Sequence, residues 1–200
     1  MAENAATQIT HLARTRGFDL IIMPTHAGFF RRTLTGSTTA KVLNDADCPE
    51  MTTQHAETLS PRPLEHREWV CAIGLDADSD RVQRYASQVT ASVQANLTLV
   101  HVILAGEAET AVELDFRERL RAAQREAAKA LHRGVAKYRG SHAAVNIAVG
   151  PVKELLTQEA RLLRADVLMI GRSPQPGTLG RLRDLNYAVV RDAPCPVLSI

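Results

Sequence analysis

The fold of this chain is decided by the stretch Ala-Asp-Val-Leu-Met-Ile at residues 165–170, in which an unbroken apolar run follows an aspartate. A short run of this kind is typical of a strand that is buried on both faces of a sheet. The pattern recurs as Phe-Asp-Leu-Ile-Ile-Met at residues 18–23, and Asp-Ala-Pro-Cys-Pro at 192–196 recurs as Asp-Ala-Asp-Cys-Pro at 45–49. Both matches have the same offset of 147 residues, which indicates an internal duplication.

The longer copy of this repeat alternates strand and helix from about residue 67 onwards. Short apolar runs predict buried strands, and apolar residues at helical spacing predict the helices between them. Such alternation produces right-handed crossovers and a parallel sheet with helices on both faces. We therefore predict an α/β fold with a five-stranded parallel sheet, whose strands lie at residues 69–73, 97–104, 144–149, 166–170 and 197–200 and whose helices begin near residues 78, 111, 150 and 179.

The shorter copy contains only the last part of that unit, because nothing in the sequence before it corresponds to residues 69–147. We predict a helix-strand-helix-strand segment at residues 1–53, a linker at 54–67 and a complete second unit at 68–200. Two parallel strands do not bury both faces of a sheet by themselves. The chain is therefore interpreted as a tandem protein whose first domain is truncated.

The composition is that of an ordinary globular protein, with 45% hydrophobic and 23% charged residues over 200 positions. A formal net charge of +2 provides no strong field for nucleic acid or an anionic membrane, so neither is expected as a partner. The three cysteines show no metal-binding spacing, no signal peptide is visible and no apolar run is long enough to cross a bilayer, which favours a cytoplasmic protein without a metal site. No P-loop, nucleophile elbow or zinc-protease motif occurs, and we expect no enzymatic activity.

Both copies resemble the universal stress protein family, and their arrangement resembles members that carry two such domains in one chain. The resemblance rests on motifs of the fourth strand of that domain, the loop and helix that follow it, and the last strand. In this sequence the motifs are Asp19-Leu-Ile-Ile-Met-Pro-Thr-His26, Arg31-Arg32, Leu34-Thr-Gly-Ser37, Lys41-Val-Leu43 and Asp47-Cys-Pro49, with Leu97-Thr-Leu-Val-His-Val102 and Pro194-Cys-Pro-Val197 in the second copy. The resemblance implies an adenine-nucleotide alpha-hydrolase-like fold and a role in stress response through binding and regulation.

Many members of this family bind ATP or a related adenine nucleotide with the pattern Gly, two residues, Gly, nine residues and then Gly-Ser or Gly-Thr. Glycines let backbone N–H groups approach phosphate, and the N-terminus of the following helix adds its dipole. The first copy keeps part of this pattern, so the resemblance implies ATP or another adenine nucleotide, with Mg2+, as its candidate ligand. The candidate nucleotide-binding residues there are Thr25, His26, Gly28, Arg32, Gly36, Ser37 and Thr38.

The second copy has nearly lost the pattern, since Pro174 replaces the second glycine and Arg183-Asp184 replaces Gly-Ser. An aspartate beside a phosphate repels it unless a metal intervenes. We therefore do not expect this copy to bind ATP in the usual way of the family. His101 lies in a predicted strand and is interpreted as a hydrogen-bonded core residue. The weaker candidate residues of this copy are Asp76, Gly171 and Arg172.

Two functional hypotheses follow from these residues and from the resemblance. The first is a stress-response binding and regulatory module that acts through protein contacts, with nucleotide binding partial or lost. The alternative is an adenine-nucleotide sensor whose loop at residues 24–38 is completed by a partner chain. A nucleotide hydrolase is disfavoured because no positioned base is visible.

The family also implies self-association through the final strand of each domain, as in a homodimer. Within one chain, the same kind of pairing would place Pro49–Thr53 antiparallel to Val197–Ile200. Glu50 is a poor strand residue and argues against that pairing.

Overall fold

A computed structural model of the chain describes residues 5–25, 37–54, 66–76, 78–104, 113–137, 143–172 and 179–200. The described residues up to 54 are called the first unit, and those from 66 onwards the second unit. The first unit contains α1 (Ala5–Arg16), β1 (Ile21–Thr25), α2 (Ser37–Asp45) and β2 (Glu50–Gln54). The second unit contains β3 (Glu68–Ala72), α3 (Ser79–Ser92), β4 (Asn96–Ile103), α4 (Glu113–Ala136), β5 (Ala143–Val149), α5 (Val152–Leu162), β6 (Val167–Ile170), α6 (Leu179–Asp192) and β7 (Val197–Ser199). The predicted alternation of strands and helices is confirmed in the second unit, and the first unit has the order helix, strand, helix, strand.

The seven strands of the described residues join one sheet in the order β1-β2-β7-β6-β3-β4-β5. The five strands of the second unit run parallel to one another, which confirms the predicted α/β fold. Their order, with β3 in the centre and β4 and β6 on either side, is that of a doubly wound sheet. The sheet has seven strands rather than the predicted five because the two strands of the first unit are added beside β7.

Alternate residues of β6 enter two separate hydrophobic cores. Leu168 and Ile170 belong to the core that includes residues of α5 and α6, whereas Val167 and Met169 belong to the core that includes residues of α3 and α4. All four side chains are buried. Burial on both faces explains why this strand reads as a continuous apolar run rather than as an alternating one.

The first unit has a smaller core of its own. Ala6 and Ala13 of α1 pack with Val42 of α2 and with Ile21 of β1. This core buries the face of β1 that carries Ile21, and α1 and α2 supply the apolar positions that cover it.

The two units are joined by an antiparallel ladder between β2 and β7, in which Glu50 pairs with Ser199, Met51 with Leu198, and Thr52 with Val197. Leu198 is the counterpart of Met51 at the offset of 147 residues, so two equivalent residues lie at the centre of the ladder. This geometry is expected for two units related by a pseudo-twofold axis. The antiparallel pairing of the two final strands within the chain is thus confirmed, and the argument against it from Glu50 is wrong, since Glu50 is fully buried in the ladder.

A second contact between the units lies close to the same axis. The hydroxyl group of Tyr187 on α6 donates a hydrogen bond to the carbonyl oxygen of Ala40 on α2, at 2.7 Å. These two residues are also counterparts at the offset of 147. The helices that precede the final strands therefore meet as symmetrically as the strands do.

The longest described helix, α4, has 24 residues. Arg117, Arg121 and Arg125 lie on its exposed face. In the part of the chain that the structure describes, no helix combines the length and the apolar character needed to cross a membrane.

Candidate functional site

A cavity of about 230 Å³ lies at the carboxyl ends of β3, β4 and β6 in the second unit. From β3 the chain continues to β4 on one side of the sheet, whereas β6 lies on the other side. Open α/β sheets bind their ligands at such a switch point, in the crevice beyond the carboxyl ends of the strands. The position in the fold therefore makes this cavity the candidate site.

Much of the cavity wall is apolar, and it is formed by strands and helices together. Val82 lies on α3, while α5 and α6 contribute Leu156 and Val189. Helical spacing predicted that Val82 and Leu156 face inwards, but it contained no signal that they line a cavity. The other apolar lining residues are Ala72, Ile73, Val100, Val102, Val152 and Ile170, and the polar ones are Asp76, Asp78, Ser79, His101, Arg172 and Asn186.

Asp76 lies at the mouth of the cavity, where its carboxylate caps α3. The Oδ1 atom accepts hydrogen bonds from the backbone N–H of Asp78 at 3.2 Å and from the hydroxyl group of Ser79 at 2.9 Å. Side-chain oxygens in this position satisfy N–H groups that a helix N-terminus leaves without intrahelical partners. Asp76 thus has a structural role in starting α3, and it also lines the cavity.

Gly171 follows β6 and allows α3 to approach the end of that strand. A Cβ atom at this position would lie 2.8 Å from Cγ2 of Val82. At that distance either the Val82 side chain or the backbone of residue 171 would have to move. Its carbonyl oxygen accepts a hydrogen bond from the side-chain amide of Asn186 at 3.4 Å. Gly171 therefore serves the packing of α3 and α6 around the cavity.

Arg172 is the next residue, and its guanidinium group is directed towards the first unit. Nη1 donates to the carbonyl oxygens of Leu43 and Ala46 at 3.0 and 3.2 Å, and Nη2 donates to that of Cys48 at 2.7 Å. These carbonyls lie at the end of α2 and in the turn that follows it, where a positive charge is favoured by the helix dipole. Burial lowers the pKa of Arg172, with the nearby Glu50 acting in the opposite direction.

Glu50 shares this buried environment. Neither of its carboxylate oxygens has a hydrogen-bond partner among the described residues. Burial raises the pKa of Glu50 to about 7, although the positive charge of Arg172 acts to lower it. Sequence reasoning considered Glu50 only as a residue that disfavours pairing of the final strands, because a glutamate at the start of a short strand is usually exposed, and it gave no sign of a buried carboxylate.

His101 reaches the cavity from β4, where it is half-buried. Its Nδ1 atom lies 2.9 Å from the carbonyl oxygen of Ile73. Since a carbonyl oxygen only accepts, we assign the proton to Nδ1. The expected hydrogen bond of His101 is confirmed, but the residue is half-buried and lines the cavity rather than lying in the core.

The candidates of the first unit are placed only in part. Thr25 is the last residue of β1, and Ser37 and Thr38 form the start of α2. His26, Gly28, Arg32 and Gly36 lie outside the described residues. In the second unit the crevice lies beyond the ends of the neighbouring strands β3 and β6. Among the described strands β1, the counterpart of β6, pairs with β2 alone, so the first unit has only the β6 side of such a crevice.

The described residues of the second-unit cavity do not fit a phosphate tail. Asp76 and Asp78, two acidic residues, are among those that line it. The guanidinium group of Arg172 is engaged with three carbonyl oxygens of the first unit. A phosphate group would therefore meet negative charge at the mouth, and Arg172 would have to give up its present hydrogen bonds to compensate for it.

The fold and the cavity together define an α/β binding domain with its ligand crevice at the switch point of a doubly wound sheet. The model of the universal stress protein family matches residues 2–53 and 67–200, and the chain belongs to that family. A search of the curated proteins finds no match to this chain.

Three solved structures illustrate the likeness of the fold. A universal stress protein from Archaeoglobus fulgidus DSM 4304 superposes with a TM-score of 0.67 at 19% identity, over 97% of this chain and 64% of that one. A functionally unknown protein from Pseudomonas aeruginosa PAO1 gives a TM-score of 0.74 at 20% identity, over 100% of this chain and 68% of that one. The protein UspA from Lactobacillus plantarum gives 0.59 at 19% identity, over 69% of this chain and 99% of that one. This chain thus spans 64% of the length of the Archaeoglobus protein, and at these identities the likeness concerns the fold alone.

Proposed function

We propose that this chain is a non-catalytic regulatory module of the universal stress protein family that acts in the cytoplasm through protein contacts, and that its second unit has lost nucleotide binding. One observation carries the proposal. Arg172, at the end of β6 where a phosphate group would approach, donates its hydrogen bonds to the first unit instead. A residue that was a candidate for binding phosphate is thus used to hold two units together.

The proposal includes a tandem organisation, with one complete unit and the last part of another. The symmetric β2–β7 ladder and the contact between Tyr187 and Ala40 support it, because both relate residues separated by 147 positions. The expected association through the final strands is proposed to occur within the chain, since β2 and β7 pair with each other and each has a further partner strand on its other side.

Calorimetric titration of the 200-residue chain with Mg·ATP, repeated with ADP and AMP, tests the loss of nucleotide binding. We expect no saturable heat at millimolar nucleotide. The matched variant is Val102→Trp, which fills the second-unit cavity from a half-buried position on β4. Saturable binding near one site per chain that Val102→Trp abolishes would contradict the proposal.

The adenine-nucleotide sensor is the second candidate function. It is favoured by the start of α2 at Ser37, directly after the glycine of the family pattern, since a helix N-terminus attracts anions. Nucleotide binding that survives Val102→Trp but disappears in the double variant Gly36→Val, Ser37→Ala would assign the site to the loop at residues 24–38. A partner chain would then have to complete it.

A further inference from the structure

We propose that the second-unit cavity binds a small organic amine, whose apolar body lies against the strand and helix walls and whose ammonium group lies beside Asp76 and Asp78. The inference rests on the proposed function in one respect, namely that this cavity does not take a nucleotide. It goes beyond that function in naming the chemical class of the ligand.

The size and the walls of the second-unit cavity fit a single apolar ring or a short branched chain. Its volume of about 230 Å³ lies below the roughly 300–1,000 Å³ that is usual for pockets of drug-sized ligands. An apolar cavity of about 150 Å³ in another protein takes up benzene. Apolar side chains reach the cavity from the strands and also from α3, α5 and α6, which contribute Val82, Leu156 and Val189. The ligand body is therefore apolar and no larger than one ring with a short chain.

The protein itself uses hydrogen-bond donors of the polar side chains that line the cavity. The hydroxyl group of Ser79 donates to Oδ1 of Asp76 at 2.9 Å. His101 uses the proton on Nδ1 for the carbonyl oxygen of Ile73, at 2.9 Å, which leaves Nε2 as an acceptor. The side-chain amide of Asn186 donates to a backbone carbonyl oxygen at 3.4 Å and keeps its own oxygen as an acceptor. A ligand rich in donors complements these groups, and an ammonium group has three donors and no acceptor.

Two acidic residues give the ammonium group its place. Asp78 occupies the N-cap position of α3, but its side chain makes no capping hydrogen bond, because Oδ1 of Asp76 caps the helix instead. Gly74, which also lines the cavity, leaves the second oxygen of Asp76 uncovered, since a Cβ atom at Gly74 would lie 2.8 Å from Oδ2. The cap of α3 thus leaves carboxylate oxygens beside the cavity, and hydrogen bonds from an ammonium ion to a carboxylate are stronger than those between neutral groups.

The arginines near the cavity favour a cationic ligand over an anionic one. Arg172 lines the cavity, but its guanidinium group donates to three carbonyl oxygens of the first unit. The exposed Arg81, in the first turn of α3, donates to the carbonyl oxygens of Arg172 and Ile200 at 2.9 and 3.4 Å. A carboxylate or phosphate ligand would have to draw one of these guanidinium groups away from its acceptors. An ammonium group leaves both arginines in place and the junction between the units intact.

The test compares 2-phenylethylamine with 2-phenylethanol and 3-phenylpropionate, which have a similar body and differ in charge. Calorimetric titration of the 200-residue chain at neutral pH measures the three affinities. We expect saturable binding of the amine, binding of the alcohol that is weaker by about tenfold or more, and no measurable binding of the carboxylate. 3-Methylbutylamine, with its alcohol and carboxylate counterparts, repeats the comparison with an aliphatic body.

Three variants locate the bound amine. Asp78→Asn removes the charge and keeps both the shape and a good N-cap residue, so it should weaken amine binding by about tenfold or more and leave alcohol binding nearly unchanged. The matched control Glu118→Gln removes the same charge from the exposed face of α4 and should not change either affinity. Val102→Trp fills the cavity and should abolish the binding of both molecules. Circular dichroism establishes that the variants are folded.

The inference is overturned if neither amine binds, or if the carboxylate counterparts bind as tightly as the amines do. It is also overturned if Asp78→Asn or Val102→Trp binds 2-phenylethylamine as tightly as the wild-type chain does. Failure of the proposed function gives a different result, namely saturable Mg·ATP binding that Val102→Trp abolishes. A chain that binds neither nucleotide nor amine would contradict this inference and leave the proposed loss of nucleotide binding standing.

Discussion

The two sides of the β2–β7 ladder are related by the repeat, yet they differ in chemistry. On one side Thr52 pairs with Val197, and on the other Glu50 pairs with Ser199. All four side chains are fully buried. The hydroxyl group of Thr52 donates to the carbonyl oxygen of Val197 at 3.3 Å. In contrast, among the described residues neither the Glu50 carboxylate nor the Ser199 hydroxyl group has a hydrogen-bond partner.

The charged residues explain this asymmetry. The counterpart of Glu50 is Val197, and that of Arg172 is Thr25, so an acid and a base face each other on one side only. Arg172 also binds the end of α2, which joins the two units through backbone carbonyls. The repeat determines the geometry of the junction, whereas its electrostatics come from residues that differ between the two copies, Glu50 in the first and Arg172 in the second.

Removal of the Arg172 guanidinium group should disturb the junction most. Arg172→Ala deletes three charge-assisted hydrogen bonds and takes away the positive charge that favours ionised Glu50. We expect the free energy of unfolding to fall by about 4 kcal/mol, measured by urea denaturation at pH 8. The control Arg191→Ala removes an exposed arginine that pairs with the neighbouring Asp192 and should cost less than about 1 kcal/mol. Equal losses in the two variants would show that Arg172 does not hold the junction.

The next largest effect concerns Glu50 and depends on pH. Its folded pKa of about 7 lies above the ordinary value of 4.5, so the folded state retains a proton that the unfolded state releases. The stability from this group is fully present below pH 4.5 and is lost as the pH rises through 7, to an extent of up to about 3 kcal/mol. Glu50→Gln keeps the shape but does not ionise.

The difference in unfolding free energy between Glu50→Gln and wild type should therefore be small at pH 4.5 and should favour the variant at pH 8. Urea denaturation at the two pH values measures it. Glu118→Gln, on the exposed face of α4, provides the control and should show no comparable change between the two pH values. A difference that is independent of pH would mean that Glu50 binds protons equally in the folded and unfolded states, so that folding does not raise its pKa.

Sequence reasoning predicted the elements because they depend on local signals, whereas the antiparallel pairing of the final strands was only an implication of the family resemblance, and Glu50 was taken to argue against it. Apolar runs and helical spacing identify the strands and helices, and the common offset identifies the equivalent ends. The role of Arg172 was not predictable in this way. Its acceptors are backbone carbonyls more than 120 residues away, and a carbonyl group leaves no mark in the sequence.

The cavity was predicted only in outline. Asp76, Gly171 and Arg172 do line it, but the structure uses them for the cap of α3, for helix packing and for the junction. A family motif marks positions near a crevice, whereas the direction of each side chain depends on the neighbours that tertiary packing provides. For the same reason, the apolar contributions of α5 and α6 were not assigned to the cavity.

The smallest effects are predicted for the two hydroxyl groups of the ladder, those of Ser199 and Thr52. Ser199→Ala removes a buried hydroxyl group that has no partner among the described residues, and it should raise the free energy of unfolding by about 1 kcal/mol. Thr52→Val removes a hydroxyl group that donates to Val197 and should lower the same quantity by about 1 kcal/mol. Both substitutions are at counterpart positions related by the pseudo-twofold axis, so urea denaturation under one set of conditions compares them without further correction. Changes of the same sign would show that the two sides of the ladder are equivalent in energy and that the contrast in their hydrogen bonding has no thermodynamic consequence.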